Sequence, residues 1–206
     1  MKVKICGIQK SHHIKAAVSA GADYIGFMFA QSKRRIEIQE AAELAAQIPA
    51  HVKRVGVFVN PSQQEIDEAV QKVDLDLIQL HGDETPHFCR NQVKPVMKAF
   101  SITSEDDFKR MRDYDVAYYL VDAPGTDYRG GSGRRFDWSL IPENHRPEKL
   151  VLAGGLTPEN VGEAVTEVKP YAVDVSSGVE VNGEKDSNKI IAFIHEAKGV
   201  RRNDNL

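Results

Sequence analysis

Two side chains in this sequence have the chemistry to move protons. Cys6 closes a short run rich in β-branched residues, Val3 to Cys6, and Asp122 directly follows another, Val116 to Val121. A thiolate can take a proton from carbon if nearby positive charge lowers its pKa from about 8.5, and a carboxyl can give one if desolvation raises its pKa. A thiol and a carboxyl at one mouth would therefore serve as base and acid. Taken singly, Cys6 is equally a small buried hydrophobe and Asp122 equally the cap of a turn. Cys89, inside a helical pattern, reads as packing, and with no metal spacing such as C-x-x-C both cysteines read as reduced thiols.

A second set of residues suits an anion. Gly154-Gly155 follow the run Leu150 to Ala153, and Ser176-Ser177-Gly178 follow Tyr171 to Val175. Glycines let backbone N–H groups approach an oxyanion, and a short helix starting near Ser177 would aim its positive end at the same point. Each pair alone is also an ordinary turn; together they imply a phosphorylated small-molecule substrate. Ser32-Lys33-Arg34-Arg35 concentrates positive charge in one loop, where an arginine could grip a planar carboxylate through two hydrogen bonds. Gln79 and His81 close another strand, with His81 either a switchable acid/base or a structural hydrogen-bonder. His12 and His13 stand where the first helix should begin and need no function. Gly130-Gly131-Ser132-Gly133 is a candidate lid.

What would bring these groups together is an alternation of strands and helices. Strand-like runs occupy Val3 to Cys6, Tyr24 to Phe29, Arg54 to Val59, Leu75 to Leu80, Val96 to Phe100, Val116 to Val121, Leu150 to Ala153 and Tyr171 to Val175. Helical patterns fall at Ile14 to Ala20, Ala41 to Ile48, Ile66 to Val73, Glu105 to Met111, Val161 to Val168 and Ile190 to Ala197. Asn60-Pro61, Thr85-Pro86 and Thr157-Pro158 mark helix starts, each a capping side chain ahead of a proline. Asp122 to Asp137 reads as a long loop, followed by a short helix around Trp138 to Ile141. Eight such units favour closure into a (β/α)8 barrel, in which strand carboxyl ends carry the active site and the last two loops hold phosphate. An open doubly wound sheet would put its glycine fingerprint after the first strand, where Cys6-Gly7-Ile8 has none.

With 206 residues, 41% hydrophobic and 28% charged, the chain fits one domain, taken as residues 1–198 with a polar tail over 199–206. A net charge of −3 argues against nucleic acid as a partner. No apolar run reaches the roughly 18 residues that a membrane span needs. Met1 leads straight into a strand pattern and not a signal peptide, so the expected location is the cytoplasm.

Five motifs carry a resemblance to a known family: Lys4-Ile5-Cys6-Gly7-Ile8, Gln79-Leu80-His81-Gly82, Gly130-Gly131-Ser132-Gly133 with Phe136-Asp137-Trp138, Gly154-Gly155-Leu156-Thr157-Pro158-Glu159-Asn160-Val161, and Asp174-Val175-Ser176-Ser177-Gly178-Val179-Glu180. In this order they resemble phosphoribosylanthranilate isomerases of tryptophan synthesis. The resemblance implies an Amadori rearrangement without metal or coenzyme. Asp122 would be the general acid that opens the furanose ring, and Cys6 the general base at C2 of the sugar. Arg34 aligns with the arginine that contacts the anthranilate carboxylate. There the chain departs from the family, with Arg35 where an aromatic residue is usual and a preceding loop one residue short, so Arg35 competes for the role. The sister isomerase of the histidine pathway is less similar, since it has an aspartate in place of Cys6 and a second phosphate motif in its first half. A non-catalytic phosphate-binding barrel is the other alternative, disfavoured by the presence of both Cys6 and Asp122. Either a monomer or a homodimer is compatible with the sequence.

Overall fold

The computed structural model describes residues 1–122, 138–141 and 146–199. Eight strands are hydrogen-bonded in sequence order and close on themselves: β1 (Lys2–Cys6), β2 (Tyr24–Met28), β3 (Lys53–Phe58), β4 (Leu77–Leu80), β5 (Val96–Ser101), β6 (Tyr118–Asp122), β7 (Leu150–Leu152) and β8 (Ala172–Val175). The described neighbours pair in parallel, and β1 joins β8 with Lys4 opposite Asp174. Outside run helices α1 (Ser11–Ala20), α2 (Ile38–Ala45), α3 (Gln63–Val73), α4 (Pro86–Arg90), α5 (Glu105–Met111), α6 (Val161–Val168) and α7 (Ser187–Gly199). A small hairpin of β9 (Glu180–Val181) and β10 (Glu184–Lys185) follows β8. The expected closed barrel is the observed one.

Strand alternation sorts the side chains into two cores. Outward residues such as Val3, Ile5, Ile25 and Phe27 are fully buried beneath the helices. The helices meet them with single apolar stripes, Ile66, Ala69 and Val73 on α3 and Ile190, Phe193, Ile194 and Ala197 on α7. Inside the barrel, Met97, Ala99, Leu120, Val151, Ala153 and Ala172 form one apolar cluster. Lower down, Tyr24 packs edge-to-face on Tyr118 with ring centroids 6.3 Å apart and helps close the floor. A barrel filled in this way leaves its carboxyl mouth as the place for polar groups.

Several sequence-based boundaries move. Thr85 caps α4 as expected, accepting from the Phe88 N–H with Pro86 at the first helical position. Asn60 does not cap α3: it takes φ 48°, and Ser62 caps instead through a reciprocal pair with Glu65. Likewise α6 starts at Val161 after Asn160, not at Thr157-Pro158, because the Asn160 side chain folds back to accept from the Thr157 N–H and so holds that segment as a turn. Asp122 is itself the last residue of β6, paired with Ser101. The short helix expected near Trp138 is a 3-10 turn over Trp138–Leu140. Gly199 ends α7 and is not part of a tail. The expected long loop after Asp122, the candidate lid at Gly130-Gly131-Ser132-Gly133 and the rest of the tail lie outside the described residues.

Candidate active site

Alternation puts Lys4 and Cys6 on the inward face of β1, with Cys6 at the mouth and 4% exposed. Asp122, also 4% exposed, ends β6 at the same mouth. His81, just past β4, sets its Nε2 3.4 Å from Asp122 Oδ2, within ion-pair reach but without hydrogen-bond alignment. Two residues earlier Gln79 places its amide nitrogen 3.2 Å from His81 Nδ1. This contact ties the imidazole orientation to the Gln79 amide and turns Nε2 toward Asp122. Gln79 Oε1 and His81 Nε2 are buried and have no hydrogen-bond partner among the described residues. Such atoms at a barrel mouth are suited to a polar ligand.

Behind the thiol lies a pair of buried charges. Lys4 Nζ is fully buried and donates to Asp174 Oδ1 at 2.9 Å. A Cβ added to Gly26 on β2 would stand 3.0 Å from Cys6 Sγ and 3.3 Å from Lys4 Nζ, so the thiol and the ammonium border the same small space. Burial pushes the Cys6 thiol above its usual range, against the pull of Lys4 and with a further push from Asp174. The condition of a thiol lowered by neighbouring cations is not met in this structure, because desolvation outweighs Lys4.

Of the two arginines, Arg34 turns inward. Its Nε and Nη2 donate to Glu180 Oε1 and Oε2 at 2.6 and 2.9 Å, and the side chains are 18% and 9% exposed. Arg35 is 49% exposed and pairs with Glu37 at 3.2 Å. Gly7, at φ 76°, gives the arginine room, since a Cβ there would come 2.7 Å from Arg34 Cδ. Glu180 is shared, because Lys185 Nζ also donates to it, and to the Ser176 carbonyl at 3.0 Å. Both cations hold the Glu180 carboxyl below its usual range despite its burial, which works the other way.

The two glycine-bearing loops meet. Gly154 and Gly155 take φ 81° and 67°, a region other residues enter only with strain, and Asn160 Nδ2 donates to the Gly155 carbonyl at 2.9 Å. Ser176 Oγ donates to the Cys6 carbonyl at 3.2 Å, and a 3-10 turn begins at Ser177. At Gly178 an added Cβ would stand 1.8 Å from the Leu156 carbonyl oxygen. That glycine is demanded by backbone packing between the loops, whatever else it does, so a bulky residue there would test folding and not phosphate alone.

The sequence reading gave no role to Lys4, Gly7, Asp174, Glu180 or Lys185. The available signal was periodicity: Lys4 precedes Cys6 by two and Asp174 precedes Ser176 by two, which places ionisable groups in inward slots of otherwise apolar strands.

Fold and site together define a (β/α)8-barrel enzyme, with ionisable side chains from the first, fourth, sixth and eighth strands gathered at its carboxyl mouth. The sequence model for N-(5'phosphoribosyl)anthranilate (PRA) isomerase matches residues 3–196. N-(5'-phosphoribosyl)anthranilate isomerase of Listeria monocytogenes serovar 1/2a is 51% identical over 201 residues, 97% of this chain and 100% of the relative. The crystal structure of phosphoribosyl anthranilate isomerase from Thermotoga maritima superposes with a TM-score of 0.88 at 42% identity, covering 97% of this chain and 99% of that one. A complex of the isomerase with reduced 1-(o-carboxyphenylamino)-1-deoxyribulose 5-phosphate gives 0.85 at 41% identity, with the same coverage. The chain belongs to the phosphoribosylanthranilate isomerase family and is an isomerase of tryptophan biosynthesis. No helix among the described residues is long and apolar enough to cross a membrane.

Proposed function

We propose that this chain carries out its family's isomerisation with Asp122 as the acid and Cys6 as the base, converting N-(5-phosphoribosyl)anthranilate to 1-(2-carboxyphenylamino)-1-deoxyribulose 5-phosphate. Asp122 gives its proton to the furanose ring oxygen, the C1–O bond breaks and a protonated Schiff base forms. The Cys6 thiolate takes the C2 proton, and that electron pair becomes the C1–C2 double bond of an enolamine. The thiol returns its proton at C1 while the C2 hydroxyl gives its proton to solvent, from which Asp122 reloads, giving the ketone. Oxidation at C2 balances reduction at C1, and every proton lent is returned. The observation that carries this reading is the placing of Cys6 and Asp122, each 4% exposed, at one mouth with buried unpaired polar atoms beside them. Its test is turnover of freshly made phosphoribosylanthranilate by the purified protein, followed by loss of substrate fluorescence. Absence of turnover in folded protein would leave a phosphate-binding barrel.

Arg34 is the proposed partner of the anthranilate carboxylate, because its guanidinium is turned inward and retains N–H donors beyond the two given to Glu180. Arg34→Ala should weaken binding by about 2–4 kcal/mol, read as a raised KM, while Arg35→Ala changes little. The reverse order would move the contact to Arg35.

Gly154, Gly155, Ser176, Ser177 and Gly178 are proposed to bind the phosphate, because their two loops pack together at the mouth. Inorganic phosphate should therefore compete with substrate, raising apparent KM without lowering kcat. Inhibition that does not yield to excess substrate would place the anion elsewhere. The same reading takes residues 1–198 as one catalytic domain working in the cytoplasm on this phosphorylated small molecule.

A further inference from the structure

Lys4 is fully buried, and a lysine in that position is costly. A buried ion pair rarely stabilises a fold more than well-packed apolar residues would, so its upkeep needs another reason. Its Nζ donates to Asp174 Oδ1 at 2.9 Å and borders the same small space as the Cys6 thiol. Gly26 across the strand pair leaves the space in which Nζ and Sγ come together.

We propose that Lys4, anchored by Asp174, is a positioning residue that holds a permanent positive charge beneath Cys6 and thereby sets how readily its thiol becomes the thiolate. The proposal rests on Cys6 being the base, but its readout does not depend on turnover. Every element around the thiol contributes: Lys4 from β1, Asp174 from β8, Lys185 from β10, Arg34 from the loop after β2, and Glu180 bound to both Arg34 and Lys185. Three cations face two carboxylates, and a Cys6 thiolate would make the cluster neutral. Among these cations Lys4 is the one whose Nζ borders, with the sulfur, the space left by Gly26. Burial works against its charge, but Asp174 and Cys6 outweigh burial and hold the ammonium above the usual lysine range, whereas burial draws Lys185 down. Asp174 has two opposed effects, since it fixes Lys4 in place and its own charge pushes the thiol up.

Those opposed effects yield a signature that a purely structural pair would not give. The Cys6 titration is followed through the NMR shift of isotope-labelled cysteine Cβ, with Cys89→Ala identifying the second signal. Lys4→Met should move the Cys6 titration to higher pH by at least about one unit, a tenfold loss of thiolate at fixed pH. Asp174→Asn, which keeps an uncharged hydrogen-bonding partner for Lys4, should move it lower. The acidic limb of kcat/KM should move with the thiol in both variants. An unmoved titration in folded Lys4→Met, or shifts of the same sign in both variants, would overturn the proposal. Should Lys4→Met fail to fold, Asp174→Asn decides alone: a lower titration supports the proposal, and an unchanged or higher one overturns it. If Cys6→Ser kept its turnover while the two titrations still moved apart, the role of Cys6 as base would fail and the charge beneath it would stand.

Discussion

Cys6→Ser should lose about 10²- to 10⁴-fold in kcat while still binding a reduced product analogue. Removing a proton from carbon needs a positioned base, and serine keeps the size of cysteine but has an alcohol pKa far too high to supply one. Binding should survive because Arg34 and the two glycine-bearing loops are untouched, and the Ser176 hydroxyl bonds to the backbone carbonyl of residue 6, not its side chain. The loss should therefore appear in kcat and equally in kcat/KM. The parent pH profile carries the same information. The base works only when deprotonated, so activity falls as pH falls. Burial has pushed the thiol up, so kcat/KM should still be climbing at neutral pH, with its acidic limb above the usual thiol range. A plateau already reached at pH 6 would point to a different base.

Asp122→Asn should cost a loss in kcat of the same order, about 10²- to 10⁴-fold, again with little change in binding. Asparagine has the same shape and keeps its place 3.4 Å from His81 Nε2, but has no acidic proton for the ring oxygen. The loss falls on ring opening, so it should appear with the cyclic substrate and be absent for any step that starts from the open chain. Steady-state kinetics beside binding of the reduced analogue checks this. Parental kcat in Asp122→Asn would leave His81, whose Nε2 faces the same point, as the acid.

The barrel was legible because its strands are short β-branched runs ended by turn residues, and each of the eight falls within about two residues of its expected place. Helix starts were less so. Asn60 and Thr157 stand ahead of prolines as caps should, yet Ser62 caps α3 through its side chain and α6 begins after Asn160, whose side chain turns back to Thr157, choices that local spacing alone does not rank. Cys6 and Asp122 could be found as isolated residues at strand ends. Their setting could not, because Lys4 meets Asp174 across the closure of the barrel, 170 positions apart, and Arg34 meets Glu180 across 146. Desolvation was equally hidden, since only the packed interior reveals that burial of the thiol outweighs the pull of Lys4.

The most direct test of the central claim follows carbon-bound hydrogen in the two variants. The open-chain product is incubated in deuterated water with each protein, and exchange at C1 is read by NMR. The parent should exchange, because the thiolate that returns a proton to C1 also removes one. Asp122→Asn should keep exchanging, since no ring oxygen has to be protonated. Cys6→Ser should not exchange. Exchange by folded Cys6→Ser at the parental rate would remove Cys6 from the mechanism and leave another group at the mouth, such as His81, as the base.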